Sequence, residues 1–106
     1  MTEGPPKLPT PEKKEGLITK QQVVERLRTN PEDVTPLNEY LDLREAEVTT
    51  IQETLQLNIE VAEIYRDAGR TTAAQDAFRD AADQAWHHYD DERHTYCMAE
   101  LQKLGG

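Results

Sequence analysis

The chain has 106 residues, enough for one small domain, and its 21 Asp and Glu against 12 Lys and Arg leave a formal net charge of −9 at pH 7. That balance argues against a nucleic-acid ligand, whose phosphates call for a basic face. The longest unbroken apolar run is four residues, Tyr96–Ala99, against about 20 for a membrane helix and about 7–15 for a signal-peptide core. The expectation is a soluble chain that neither enters nor sits on a membrane. The one cysteine, Cys97, has no partner for an intramolecular disulfide, which fits a reducing compartment such as the cytoplasm.

Residues 1–16 hold four of the six prolines and two of the five glycines, with three acids, three lysines and Leu8 as the one large aliphatic residue. Such a stretch cannot bury enough apolar area to offset its backbone entropy, and it reads as a disordered arm. Within it Pro6-Lys7-Leu8-Pro9 has the PxxP spacing of polyproline-groove ligands, without the basic residue at fixed offset that such ligands usually carry.

From residue 17 onward the pattern is helical. Thr19 with Gln22 forms a capping box, Val23, Val24 and Leu27 make a short apolar stripe, and Asn30-Pro31 stops it. A second helix is expected with Thr35 as cap and Pro36 at its first position, burying Leu37, Tyr40, Leu41 and Ala46. Thr50 with Glu53 is another capping box, so a break is placed near residues 48–50 and a third helix runs to about Ala68, where Gly69 supplies a left-handed cap. Leu57, Val61, Ile64, Tyr65 and Ala68 share one side of this helix, and Leu55, Ile59 and Ala62 widen it. Thr72 opens a fourth helix with Ala74, Ala77, Phe78, Ala81, Ala82 and Ala85 on its stripe. After Tyr89, the acids Asp90, Asp91 and Glu92 favour a fifth helix start, and His94, Cys97, Leu101 and Leu104 continue to Gly105. No segment alternates like a strand. The fold class is therefore all-α, an antiparallel helix-turn-helix array of about five helices over residues 17–106. Residues 34–106 carry fifteen acids and six bases, so the helical body holds the whole net charge.

The stretch from Leu55 to Gln84 resembles a tetratricopeptide (TPR) repeat, a helix-turn-helix unit of about 34 residues. Ala62, Tyr65, Gly69, Ala74, Phe78 and Ala81 stand at the family's characteristic positions with the right spacing, and the match covers about residues 55–88. Asn58 replaces the usual tryptophan, and Trp86 stands where a helix-breaking proline is common, so the second helix is expected to run on toward Tyr89. Residues 19–48 resemble a degenerate preceding unit. The resemblance implies a binding module without chemistry of its own, in which the first helix of each pair lines a groove. The residues matching the groove positions are Gln56, Ile59, Glu63, Arg66 and Asp67, an acidic set over an apolar floor suited to a basic or mixed-charge peptide or helix. The expected function is a protein–protein interaction adaptor or scaffold. The alternative is an acidic helical chaperone or self-assembling subunit, a homodimer for example, whose exposed array ends are covered by another copy.

Other marked residues carry weaker chemistry. His87, His88, Asp90, Glu92, His94 and Cys97 include every type of transition-metal ligand, yet a helix break falls inside the cluster and no second ligand group stands elsewhere to complete a site. No metal or other cofactor is expected. Cys97 lies on an apolar stripe, no phosphate loop or nucleophile elbow occurs, and no enzymatic activity is expected. The C-terminal Gly105-Gly106 resembles the end of ubiquitin-like modifiers, but those have strand-rich folds, and Gly105 reads as a helix cap.

Overall fold

A computed structural model describes residues 18–105; the arm expected over residues 1–16, with its Pro6–Pro9 motif, and Gly106 lie outside the described residues. Among the described residues five helices follow one another and no strand occurs: α1 (Lys20–Thr29), α2 (Thr35–Glu45), α3 (Ile51–Asp67), α4 (Thr71–His87) and α5 (Asp91–Lys103). The fold is all-α.

Local chemistry sets most of the boundaries. Thr19 and Thr50 each close a complete capping box, the threonine oxygen accepting the third amide while Gln22 or Glu53 returns to the cap's own N–H. At α2 the expected cap shifts by one residue: Thr35 is already helical, and its amide donates to the Asp33 carboxylate at 3.0 Å, so an acid upstream does the work expected of the threonine hydroxyl. At α4 no side chain caps the start, which falls at Thr71 rather than Thr72. The preceding turn feeds straight into the helix there, with the Ala74 amide donating to the Arg70 carbonyl at 2.9 Å.

The turns after α3 and α4 are built alike. Arg70 N–H donates back to Tyr65 O at 2.8 Å and Gly69 N–H to Arg66 O at 3.1 Å, with Gly69 at φ +81°; Asp90 N–H donates to Ala85 O at 2.8 Å and Tyr89 N–H to Trp86 O at 3.2 Å, with Tyr89 at φ +59°. Both are the double hydrogen-bonded helix ends that require a left-handed residue. The first places glycine there and the second a tyrosine that is almost fully exposed.

Packing centres on α3, which buries two faces. Leu57, Ile64 and Ala68 join Val23, Val24 and Leu27 of α1 and Leu37 and Tyr40 of α2 in one core. Ile59 and Ala62, displaced around the helix, join Ala74, Phe78, Ala81 and Ala82 of α4 with Cys97 and Leu101 of α5 in a second, and Tyr65 touches both. Small residues on α4 let α3 and α5 approach closely, and Phe78, fully buried, fills the space they leave. The expected apolar faces are largely the buried ones, with one exception on α2: Ala46 lies past the last helical residue and is exposed.

Each helix packs on its sequence neighbour, and α1 also touches α3, as α3 touches α5. Helices α2 and α4 do not meet. The array therefore bends toward its odd-numbered helices, whose polar sides share one inner face.

Three substitutions test this packing and its turns. Ala74→Leu should cost about 1–3 kcal/mol by overfilling the fully buried α3–α4 contact, lowering the melting temperature by roughly 4–8 °C per kcal/mol. At the turns the signs should be opposite. Gly69→Val destabilises although open space surrounds its β-carbon, because the cost is backbone strain at φ +81°, and Tyr89→Gly raises the melting temperature by removing the strain of a side chain at φ +59°, worth about 1 kcal/mol. Thermal unfolding followed by circular dichroism reads all three.

Candidate binding face on the odd-numbered helices

The inner face is built around the polar side of α3. Its capping box begins the helix so that Gln56 and Glu63, seven residues apart, lie in line, while the box of Thr19 positions Lys20 at the start of α1. Lys20 Nζ reaches Glu63 Oε1 at 2.5 Å, a contact across 43 residues of sequence. The other Glu63 oxygen accepts the hydroxyl of Tyr96 on α5. One carboxylate thus ties three helices together.

A second strand of the network runs through Arg66. Its guanidinium donates to Glu100 Oε1 at 2.9 Å, to the Tyr96 hydroxyl at 3.4 Å and to its neighbour Asp67 at 2.9 Å. Glu100 is buried and takes a further bond from Lys103 at 2.9 Å. The ring of Tyr96 is held edge-on against Phe78, with centroids 6.2 Å apart. Burial first, and then the bond to Glu63, push its hydroxyl up to about 12, so it remains a proton donor across physiological pH. At the far end of α3, Arg28 of α1 donates twice to the Asp67 backbone carbonyl, at 2.9 and 2.6 Å, satisfying an orphan acceptor at the helix C-terminus.

Between α3 and α5 lies a cleft of about 380 Å³ lined by Gln56, Ile59, Glu63, Glu92, Arg93 and Tyr96. Arg93 on its wall donates to Asp90 at 2.7 Å and to Gln56 at 3.3 Å. Glu92 is exposed, and among the described residues it has no ion-pair partner.

Of the five groove positions, the structure brings Gln56, Ile59 and Glu63 to this cleft; Arg66 bridges beside it, and Asp67 lies at its α1 side. Ile59 is only 3% exposed, so it serves the second core and offers a ligand little apolar floor. Glu92, Arg93 and Tyr96 complete the cleft from α5 and are not among the sequence-based positions. Their i, i+1, i+4 spacing put them on one helical side, but only the approach of α3 to α5 brings that side to the groove.

The metal-type residues disperse. His87 Nδ1 bonds the Asp83 backbone carbonyl at 2.8 Å, and His94 packs at a tilt against Trp86 with ring centroids 5.4 Å apart. Cys97 is buried in the second core, and burial, followed by the charges of Glu63, Asp90 and Glu100, pushes its thiol up to about 11. Among the described residues no group of three or more His, Cys, Asp or Glu side chains gathers in metal-binding range, and no helix is long and apolar enough to cross a membrane. Comparisons with protein-family models, with curated proteins and with solved structures returned no match.

The Glu100 cluster sets an expected pH dependence. The bond from Lys103 and then that from Arg66 hold the Glu100 carboxyl below its ordinary 4.5. A carboxylate whose folded value is depressed binds fewer protons in the folded state, so its stabilisation is complete above about 4.5 and is lost as pH falls through the folded value. Denaturant titrations from pH 7 to pH 3 should show stability falling at the acid end. Glu100→Gln should be less stable than the wild type at pH 7 and should narrow that gap as the solution is acidified.

Proposed function

We propose that this chain is a TPR-like adaptor whose inner face holds an extended peptide or a helix of a partner protein, by recognition without chemistry. The observation that carries the reading is the α3–α5 cleft, where polar groups from two helices converge beside Glu92, a carboxylate with no ion-pair partner among the described residues. Further support comes from the arrangement of the array, with α1, α3 and α5 sharing one side as the first helices of successive repeats would.

The network refines which residues meet the ligand. Glu63 is already satisfied by Lys20 and Tyr96, and Lys20 is more than a third exposed on the outer side of that pair. An incoming lysine or arginine therefore meets Glu92 directly and displaces Lys20 to reach Glu63. Gln56 and Arg93 present an amide oxygen and a guanidinium edge for the ligand backbone or an acidic neighbour. Asp67 and Arg66 flank the path toward α1. This combination selects a segment of mixed but predominantly basic charge.

The reading is tested by affinity capture from cell extract with mass spectrometry, followed by titration of the identified peptide, on wild type and on Gln56→Arg/Glu92→Lys. Both positions are at least partly solvent-facing, so the variant keeps the helical signal of the wild type. Loss of the partner and an affinity drop of about tenfold or more, equivalent to about 1.4 kcal/mol, are expected. Equal capture and equal affinity would place recognition away from this cleft and overturn the reading.

A further inference from the structure

The far side of α5 carries a second surface that the groove reading does not use. Trp86 and Met98 are 64% and 49% exposed there, side by side along a cleft whose floor is Ala82 and Leu101 and whose α4 wall carries Arg79 and Asp83. On α5 itself the exposed stripe is Thr95, Met98, Ala99 and Gln102, at the i, i+3, i+4, i+7 spacing of a helix-packing seam. All four are uncharged, in a chain whose net charge is −9. A stripe cleared of charge on so acidic a body is suited to burial rather than to solvent.

The stripe is also complementary to itself. Turned end over end about a two-fold axis crossing α5 between Met98 and Ala99, a second copy sets its Ala99 opposite Met98 and its Gln102 opposite Thr95. Bulk meets a small residue, and an amide meets a hydroxyl. The ends of the helix match in the same sense: Asp91, exposed in the first turn, is directed toward the C-terminal end of the other copy, and antiparallel pairing opposes the two helix dipoles. The flanking α4 wall carries one charge of each sign, Arg79 and Asp83, which again suits a copy of itself and would set Arg79 against a uniformly basic ligand.

From this geometry we propose that the outer α5 face is a homodimer interface, two copies pairing antiparallel through α5 with Trp86 at the margin of the contact. Arg93 and Tyr96, the other α5 residues of the α3–α5 cleft, lie off this stripe while Glu92 borders both faces, so self-association is read through Met98 and Ala99, which take no part in the peptide-binding reading. A 13-residue helix with its flanking tryptophan falls short of the roughly 800 Å² per partner of a standard interface, so the expected dissociation constant is about 1–100 µM.

Sedimentation velocity of the full chain from about 1 µM to 1 mM, a range bracketing that constant, tests the proposal, with the emission of Trp86, the only tryptophan, read on the same samples. The mass should rise from 12.1 kDa toward twice that value, with a blue shift of the emission as the indole leaves water. Met98→Glu and Ala99→Lys, both at exposed positions, should each weaken self-association by about 30-fold or more while keeping the wild-type circular dichroism. An equimolar mixture of the two variants should associate again, because the two new charges meet across the axis. A wild type that remains monomeric throughout the range overturns the proposal. So do variants that dimerise as well as the wild type, or a mixture that stays monomeric.

Discussion

The burial of α3 on two opposite faces is the constraint on which the remainder of the molecule depends. Leu57, Ile64 and Ala68 face α1 and α2, while Ile59 and Ala62 face α4 and α5. A helix with one apolar stripe would support a hairpin on one side only, and the other hairpin would have nothing to cover its own apolar face. The length of α3, 17 residues without glycine or proline, makes the double role possible, because both sides need several turns of uninterrupted contact. The two small cores are thereby joined through one backbone rather than left as separate units.

What remains of the α3 surface is narrow, and it is mostly polar side chains reaching neighbouring helices. On one flank Glu60 accepts from Tyr40 at 2.9 Å and takes two bonds from Arg44, at 3.1 and 3.0 Å; on the other Glu63 joins Lys20 and Tyr96. These pairs stand at the edges of the cores, partly shielded from water, where hydrogen-bonded charges hold orientation more than they add net stability. Their effect is to fix the tilt of α1, α2 and α5 about the central helix. An acidic composition that looks on paper like a solvated surface is thus partly internal scaffolding. The acids left over, with Glu92 at the cleft, are the ones that face solvent.

Much of this was legible in the sequence, for local reasons. Thr19 with Gln22, Thr50 with Glu53 and the glycine at position 69 depend on residues within four positions of one another, and the helices they bound follow from that chemistry alone. In the alanine stripe of α4, Ala74, Ala81, Ala82 and Ala85 bury as the spacing predicts, as do Phe78 and Cys97, while Ala77 is partly buried at the edge. What could not be read depends on which helix meets which. The Lys20–Glu63 pair spans 43 residues, and Arg93, placed by spacing beside Asp90, also reaches Gln56 on another helix. Ile59, expected both on the widened apolar side of α3 and at a groove position, serves the first of these, because the second core draws on that side of α3. The left-handed Tyr89 escaped notice since its side chain gives no sign of the backbone it adopts; only the hydrogen bonds returning to Ala85 and Trp86 reveal it.

The neighbour-by-neighbour packing has a kinetic consequence. No helix touches another more than two places away in the chain, so the native structure requires few long loops to close before favourable contacts form. Proteins of such low contact order cross their folding barrier in about microseconds to milliseconds. The α3–α4 hairpin, with a tight glycine turn and an interface of small residues, has the most local route to structure and is the natural nucleus on which the flanking helices condense. A chain that emerges from synthesis in this order buries its apolar stripes almost as soon as they are made, leaving little time for them to meet those of another molecule.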